Sequence, residues 1–219
     1  MKKTFCVLLG ILIFCTAGIE AKKKYSSYKG LIMAGYQGWF NTPDDGANRK
    51  WRHYPGKQGF KPGSCSIDMW PDVSEYEKVY STPFRFADGG VASVFSSYDE
   101  STVDTHFRWM KEYGLDGVFM QRFVGEVKNP SGKNHFNKVL ASATKAADKY
   151  DRAICVMYDL SGMKGTDASF VLDDIDELTR LFNIGNRKKN PSYFEVTPKS
   201  WTSYTLSRNR KSSVLYRTL

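Results

Sequence analysis

Short apolar runs alternate with amphipathic helical segments along the middle of this chain, and that alternation constrains the fold more than any other feature. Leu31–Ala34, Val91–Phe95, Gly117–Phe123 and Ala153–Asp159 read as strands with little polar interruption. Val103, Phe107, Met110 and Tyr113 share one helical face. Phe136, Val139, Leu140, Ala143, Ala147 and Tyr150 share a second, over about 135–150, and Val171, Ile175, Leu178 and Phe182 a third, over about 168–182. Ser101 is the expected N-cap of the first helix, with Asp104 reaching back in a capping box and Gly114 as its stop. Near-continuous apolar strands separated by helices pair in parallel with the helices outside. The expected class is therefore α/β, of the (β/α)8 barrel type. A closed barrel takes about 250 residues; residues 25–182 hold about half of its strands, so an incomplete barrel is expected.

The two ends read differently. Lys2 and Lys3 precede the apolar run Phe5–Phe14, and the chain then turns small through Ile19-Glu20-Ala21. That is the layout of a secretory signal peptide over residues 1–21, cleaved near Ala21; a lipid anchor on Cys15 is the weaker alternative, because bulky Phe14 precedes it. The net charge is +9, a balance that would point toward nucleic acid. Its placement argues otherwise. Lys2, Lys3, Lys22, Lys23 and Lys24 against Glu20 give residues 1–24 a net +4, and eight Lys and Arg against Glu195 give residues 183–219 a net +7. Residues 25–182 are left at −2, so no nucleic-acid partner is expected. Residues 183–219 also lack any apolar period and are expected to lie outside the domain, either as a flexible native tail or, the favoured reading, as the product of a reading frame lost near residue 182. Cys65 and Cys155 remain after signal removal; a disulfide between them is open, and Cys155 reads as a small buried residue. No cysteine–histidine spacing suggests a metal.

Several strands finish in groups suited to a sugar, a flat ring for pyranose carbons and amides or carboxylates for hydroxyls. These are Tyr36, Gln37 and Trp39, then His53, Asp68 and Trp70, then Tyr98, Gln121, Arg122 and Asp159. In parallel sheets chemistry gathers beyond the carboxyl ends of strands. Each ring alone fits a core equally well. Gln121-Arg122 is costly to bury unpaired, so a ligand or an internal ion pair must satisfy it, and the ligand is the favoured reading. Asp159 and Glu126 are the candidate catalytic carboxylates; a loop-capping Asp and a solvated loop Glu are the plainer alternatives. Asp72 fits either a sugar contact or a turn. His106 reads as structural. Asp173 to Glu177 reads as a solvated helix face.

In combination, Gly-Tyr-Gln-Gly-Trp-Phe at 35–40, Trp-Arg-His at 51–53 and Asp-Met-Trp-Pro-Asp at 68–72 resemble a known group. The blocks at 101–114, 116–123 and 157–163 extend the likeness, which covers roughly residues 28–180. It resembles secreted bacterial proteins of the glycoside hydrolase family 71/99-like group, whose members include xylosidases, arabinosidases and endo-α-mannosidases. The resemblance implies a (β/α)8 barrel acting on a polysaccharide or glycan, with no cofactor. It also implies a catalytic pair of closely spaced glutamates late in the barrel, and no position here matches that pair. A non-catalytic glycan-binding remnant is thus the alternative to a glycosidase. The protein is expected to be secreted or periplasmic, free of the membrane after cleavage. A half barrel would expose its first and fourth strands as edges unless two copies pair into a homodimer. Mass spectrometry of the native product should find a mature terminus close to Lys22; an intact Met1 in a cytoplasmic fraction would refute export.

Overall fold

A computed structural model describes residue 25, residues 29–164, 167–184, 186 and 189–193, and the backbone strand 214–215. The expected signal peptide and most of the expected tail lie outside the described residues. The architecture is mixed α/β around a parallel sheet. Strand β1 (Met33–Tyr36) pairs in parallel with β4 (Gly117–Phe123), and β4 pairs in parallel with β5 (Ala153–Asp159). Helices α1 (Glu100–Glu112), α3 (Pro130–Tyr150) and α4 (Ala168–Phe182) complete the layer, with a single turn, α2 (Val124–Val127), directly after β4. The sheet is not closed into a barrel.

The alternation of side chains along each strand divides the sheet into two faces. Val118 and Met120 of β4 and Ile154, Val156 and Tyr158 of β5 enter the core with Phe107 of α1, Val139 and Leu140 of α3, and Ile175 and Leu178 of α4. Phe119, Gln121 and Phe123 of β4, with Cys155 and Asp159 of β5, take the other face and are half-buried. Left-handed residues end the two long helices: Asp151 at φ 61° after α3 and Asn183 at φ 51° after α4. Both are short polar side chains that tolerate this conformation.

Three expectations change. Val91–Phe95 does not join the parallel sheet; β3 (Val91–Val94) pairs antiparallel with β2 (Tyr80–Arg85), which the apolar pattern did not reveal. The cause is local. Asp88-Gly89-Gly90 turns the chain between the strands, with Gly89 at φ 86°, and β3 buries only Ala92 and Val94, one face of a hairpin. The capping box also fails. Asp99 is the N-cap residue of α1, Ser101 lies inside the helix with its Oγ buried and without a partner among the described residues, and Asp104 binds Lys149 and Tyr150. Lastly, β5 is not a bare edge. At its carboxyl end it pairs antiparallel with β6 (Val214–Leu215), and Ile154 bridges Tyr193. Both contacts come from the stretch beyond residue 182.

Candidate functional site

The loops that follow β1 and β4 meet beyond the carboxyl edge of the sheet. Trp39, three residues past β1, stacks on His53 with centroids 4.1 Å apart and planes 10° from parallel. It also stacks on Phe123, the last residue of β4, at 5.2 Å and 21°. Phe123 faces Asp159 in the β4–β5 register, which brings Asp159 beside the ring cluster. Glu126 follows in α2 and forms an ion pair with Arg49. Backbone strain marks the same loop: Asn48, Lys50 and His53 all hold positive φ, at 55°, 58° and 61°. Residues in that region persist only when their surroundings over-determine them, and they gather at functional sites.

A buried polar network supplies that support. The Asp45 carboxylate accepts from Asn41 Nδ2 at 2.8 Å, Thr42 N at 3.0 Å, Ala47 N at 2.8 Å and Ser96 Oγ at 2.7 Å. Arg49 donates to Asn41 Oδ1 at 3.0 Å and to Glu126 Oε2. Burial pulls the Arg49 guanidinium below its usual range, with Glu126 opposing. Burial likewise lowers His53, opposed by Glu126 and reinforced by Arg49 and Arg52. His53 is thus a neutral imidazole at ordinary pH, and no described residue hydrogen-bonds its ring.

The structure brings together Trp39, His53, Glu126 and, across the register, Asp159, with Gln121 on the same sheet face. Asp159 also accepts from Ser161 N at 2.8 Å, the bond expected of a loop-capping Asp. Of the remaining candidates, Tyr36, Asp68, Trp70 and Asp72 lie elsewhere. Tyr36 is in the core, its hydroxyl 2.8 Å from His106 Nδ1, while Tyr76 holds the other ring nitrogen. Gln37 is half-buried just past β1. Trp70 packs on Phe60 and Phe84 under the hairpin and donates Nε1–H to Ser93 O at 2.8 Å. Asp68 is exposed, and Asp72 holds a turn through Ser74 N. Tyr98 stacks on His135, with Lys138 Nζ 4.0 Å from the ring centroid.

Arg122 is a clear correction. It points into the helix layer and meets Asp174 of α4 through Nε at 2.5 Å and through a second amine at 2.8 Å. The expected solvated face of α4 is corrected with it, because Asp174 is fully buried there. An internal ion pair, the other reading of Gln121-Arg122, satisfies the arginine; Gln121 alternates to the opposite face.

Asn41, Asp45, Arg49, Phe123 and His135 were not singled out from the sequence. The first three sit at four-residue intervals in a stretch rich in Gly, Pro, Asp and Asn, which reads as a solvated connection. Trp-Arg-His in the same loop was the available signal. Among the described residues both cysteines are free, and burial pushes the Cys155 thiol up to about 12. No group of three His, Cys, Asp or Glu is placed to hold a metal, and no helix is long and apolar enough to cross a membrane, again among the described residues.

Fold and site together define an α/β protein with rings and carboxylates at the carboxyl edge of a parallel sheet. No family model and no curated protein matches the chain. Two solved structures of the GH99 endo-alpha-mannosidase from Bacteroides thetaiotaomicron, one in complex with BIS-TRIS-Propane, are similar to it at 11% identity with TM-scores of 0.49 and 0.42. Each likeness covers 75% of this chain but only 41% and 38% of the solved chains. Likeness of that size does not carry an activity across.

Proposed function

We propose that this chain binds a polysaccharide or glycan at the carboxyl edge of its sheet, as a glycoside hydrolase of the 71/99-like kind. The observation that carries this is the Trp39 stack on His53 and Phe123, with Glu126 and Asp159 beside it. Stacked rings offer a flat apolar surface to the C–H face of a pyranose, and the carboxylates and the Gln121 amide accept or donate to its hydroxyls. Hydrolysis by the common route needs two carboxyls about 5–9.5 Å apart across the scissile bond. Asp159 and Glu126 are the candidates for them, since no match to the family's glutamate pair occurs in this sequence.

The second reading is a glycan-binding remnant without turnover. It is favoured by the engagement of both carboxylates, Glu126 by Arg49 and Asp159 by the Ser161 amide. A screen of the full chain on mannan, xylan and aryl glycosides separates the two. Turnover abolished by Asp159→Asn supports the hydrolase, and binding without turnover supports the remnant. In either case Trp39→Ala should weaken glycan binding about 30-fold, the effect of losing a ~2 kcal/mol hot spot. Calorimetry showing unchanged affinity would sink the site as drawn.

A further inference from the structure

The polar network beneath the rings has a direction, and each group in it has one workable orientation. His135, in α3, lies 2.8 Å through Nε2 from the Gly38 carbonyl. A carbonyl only accepts, so Nε2 carries the proton. Burial holds this imidazole neutral, down to about 4, so Nδ1 must accept. Its partner is Asn41 Nδ2 at 3.1 Å. The second proton on that nitrogen goes to Asp45, which fixes the amide and aims Oδ1 at Arg49. Arg49 then reaches Glu126 with its remaining amine.

We infer that His135, Asn41 and Arg49 are positioning residues that set where the Glu126 carboxylate stands against the His53–Trp39 stack. Three observations support a role beyond holding a loop. Arg49 is buried at 2% side-chain exposure, and among the described residues its Nε has no hydrogen-bond partner, a feature that calls for an explanation. Glu126 is 28% exposed, and no described residue hydrogen-bonds its other oxygen, Oε1, which is left for a ligand. The loop that carries these groups also carries His53 in its left-handed conformation, so the same bonds hold the ring and the carboxylate in register. None of the three relay residues needs to touch the ligand.

This inference rests on the glycan reading only for its ligand, and the experiment separates the two. Stacking at 4.1 Å on an indole shifts the His53 ring protons upfield, a signal read by NMR without any ligand. His135→Ala should move those resonances toward random-coil values while core methyls such as Val118 and Ile154 stay in place. His135→Gln, which keeps a donor for Gly38 and an acceptor for Asn41, should restore them. Affinity for a mannan or xylan oligosaccharide should fall about tenfold in the first variant and recover in the second. If His135→Ala does not fold, Glu126→Gln at the exposed end tests the same link in reverse, through the His135 ring resonances. Unmoved resonances at the far end of the relay, in whichever variant folds, overturn the inference. Moved resonances in a protein that binds no glycan uphold the relay and overturn the glycan reading instead.

Discussion

Asp174→Ala should cost this fold about 3–5 kcal/mol, the scale for breaking a buried ion pair by removing one partner. Asp174 is 0% exposed at its side chain and Arg122 3%. The substitution would strand a guanidinium between the sheet and α4 with, among the described residues, only Asn137 to accept from it, at 2.9 Å. It would also take the acceptor from the Tyr158 hydroxyl, 2.5 Å away. The stranded charge, rather than the lost attraction, dominates the expected cost. Replacing both partners, as Arg122→Met with Asp174→Leu, should therefore recover most of it. Urea unfolding of the three proteins checks this; a single variant within ~1 kcal/mol of the parent would show that water reaches the pair.

Acid should unfold the protein through two histidines. His106 lies between the hydroxyls of Tyr36 and Tyr76, and burial takes it down to about 4. His135 is also lowered to about 4, chiefly by burial. Both are neutral in the folded chain, whereas the unfolded chain takes up these protons near the ordinary 6.5. Between the two values the unfolded state holds more protons, so stability falls as pH falls from about 6.5 to about 4. Held from 6.5 down to about 4, each imidazole would withdraw up to about 3 kcal/mol. Carboxylates contribute to acid unfolding as well, and His106→Gln and His135→Gln isolate the imidazole share. The loss of unfolding free energy between pH 7 and pH 4.5 should shrink in each variant. An equal loss in parent and variants would put the acid sensitivity elsewhere.

Much of the helix layer was legible because burial there is periodic. The spacing of Phe136, Val139, Leu140 and Ala143 leaves one face for the core, and α3 takes it. The parallel strands Gly117–Phe123 and Ala153–Asp159 were legible because each opens on a run of apolar residues, Gly117–Met120 and Ala153–Tyr158, before its polar end. What stayed hidden depends on partners distant in sequence. Arg122 and Asp174 each look like a solvent or ligand residue in isolation, and only the packing of α4 across β4 and β5 makes them a pair. Val91–Val94 looks like any buried strand until Tyr80–Arg85 is seen beside it; Pro83 makes that partner a poor strand by composition. The site itself was half legible. Trp39, His53, Glu126 and Asp159 stand where polar groups interrupt apolar ones. Asn41, Asp45 and Arg49 were obscured because a polar loop normally lies in water, and this one is folded inward onto His135.

Gly132, in the first turn of α3, has no side chain because the backbone of Glu126 occupies that space; a Cβ there would meet the Glu126 carbonyl oxygen well inside van der Waals contact. Glu126 is therefore gripped from the main chain by α3 and from the carboxylate by Arg49. Residues 49, 126 and 132 cannot drift one at a time, since a change at any of them displaces the others. Descendants of this chain that acquire a different ligand would be expected to keep this trio and to vary exposed positions such as Lys57, Gln58 and Lys61 instead, so the part of the site tied together through the main chain is also the part with the least freedom to evolve.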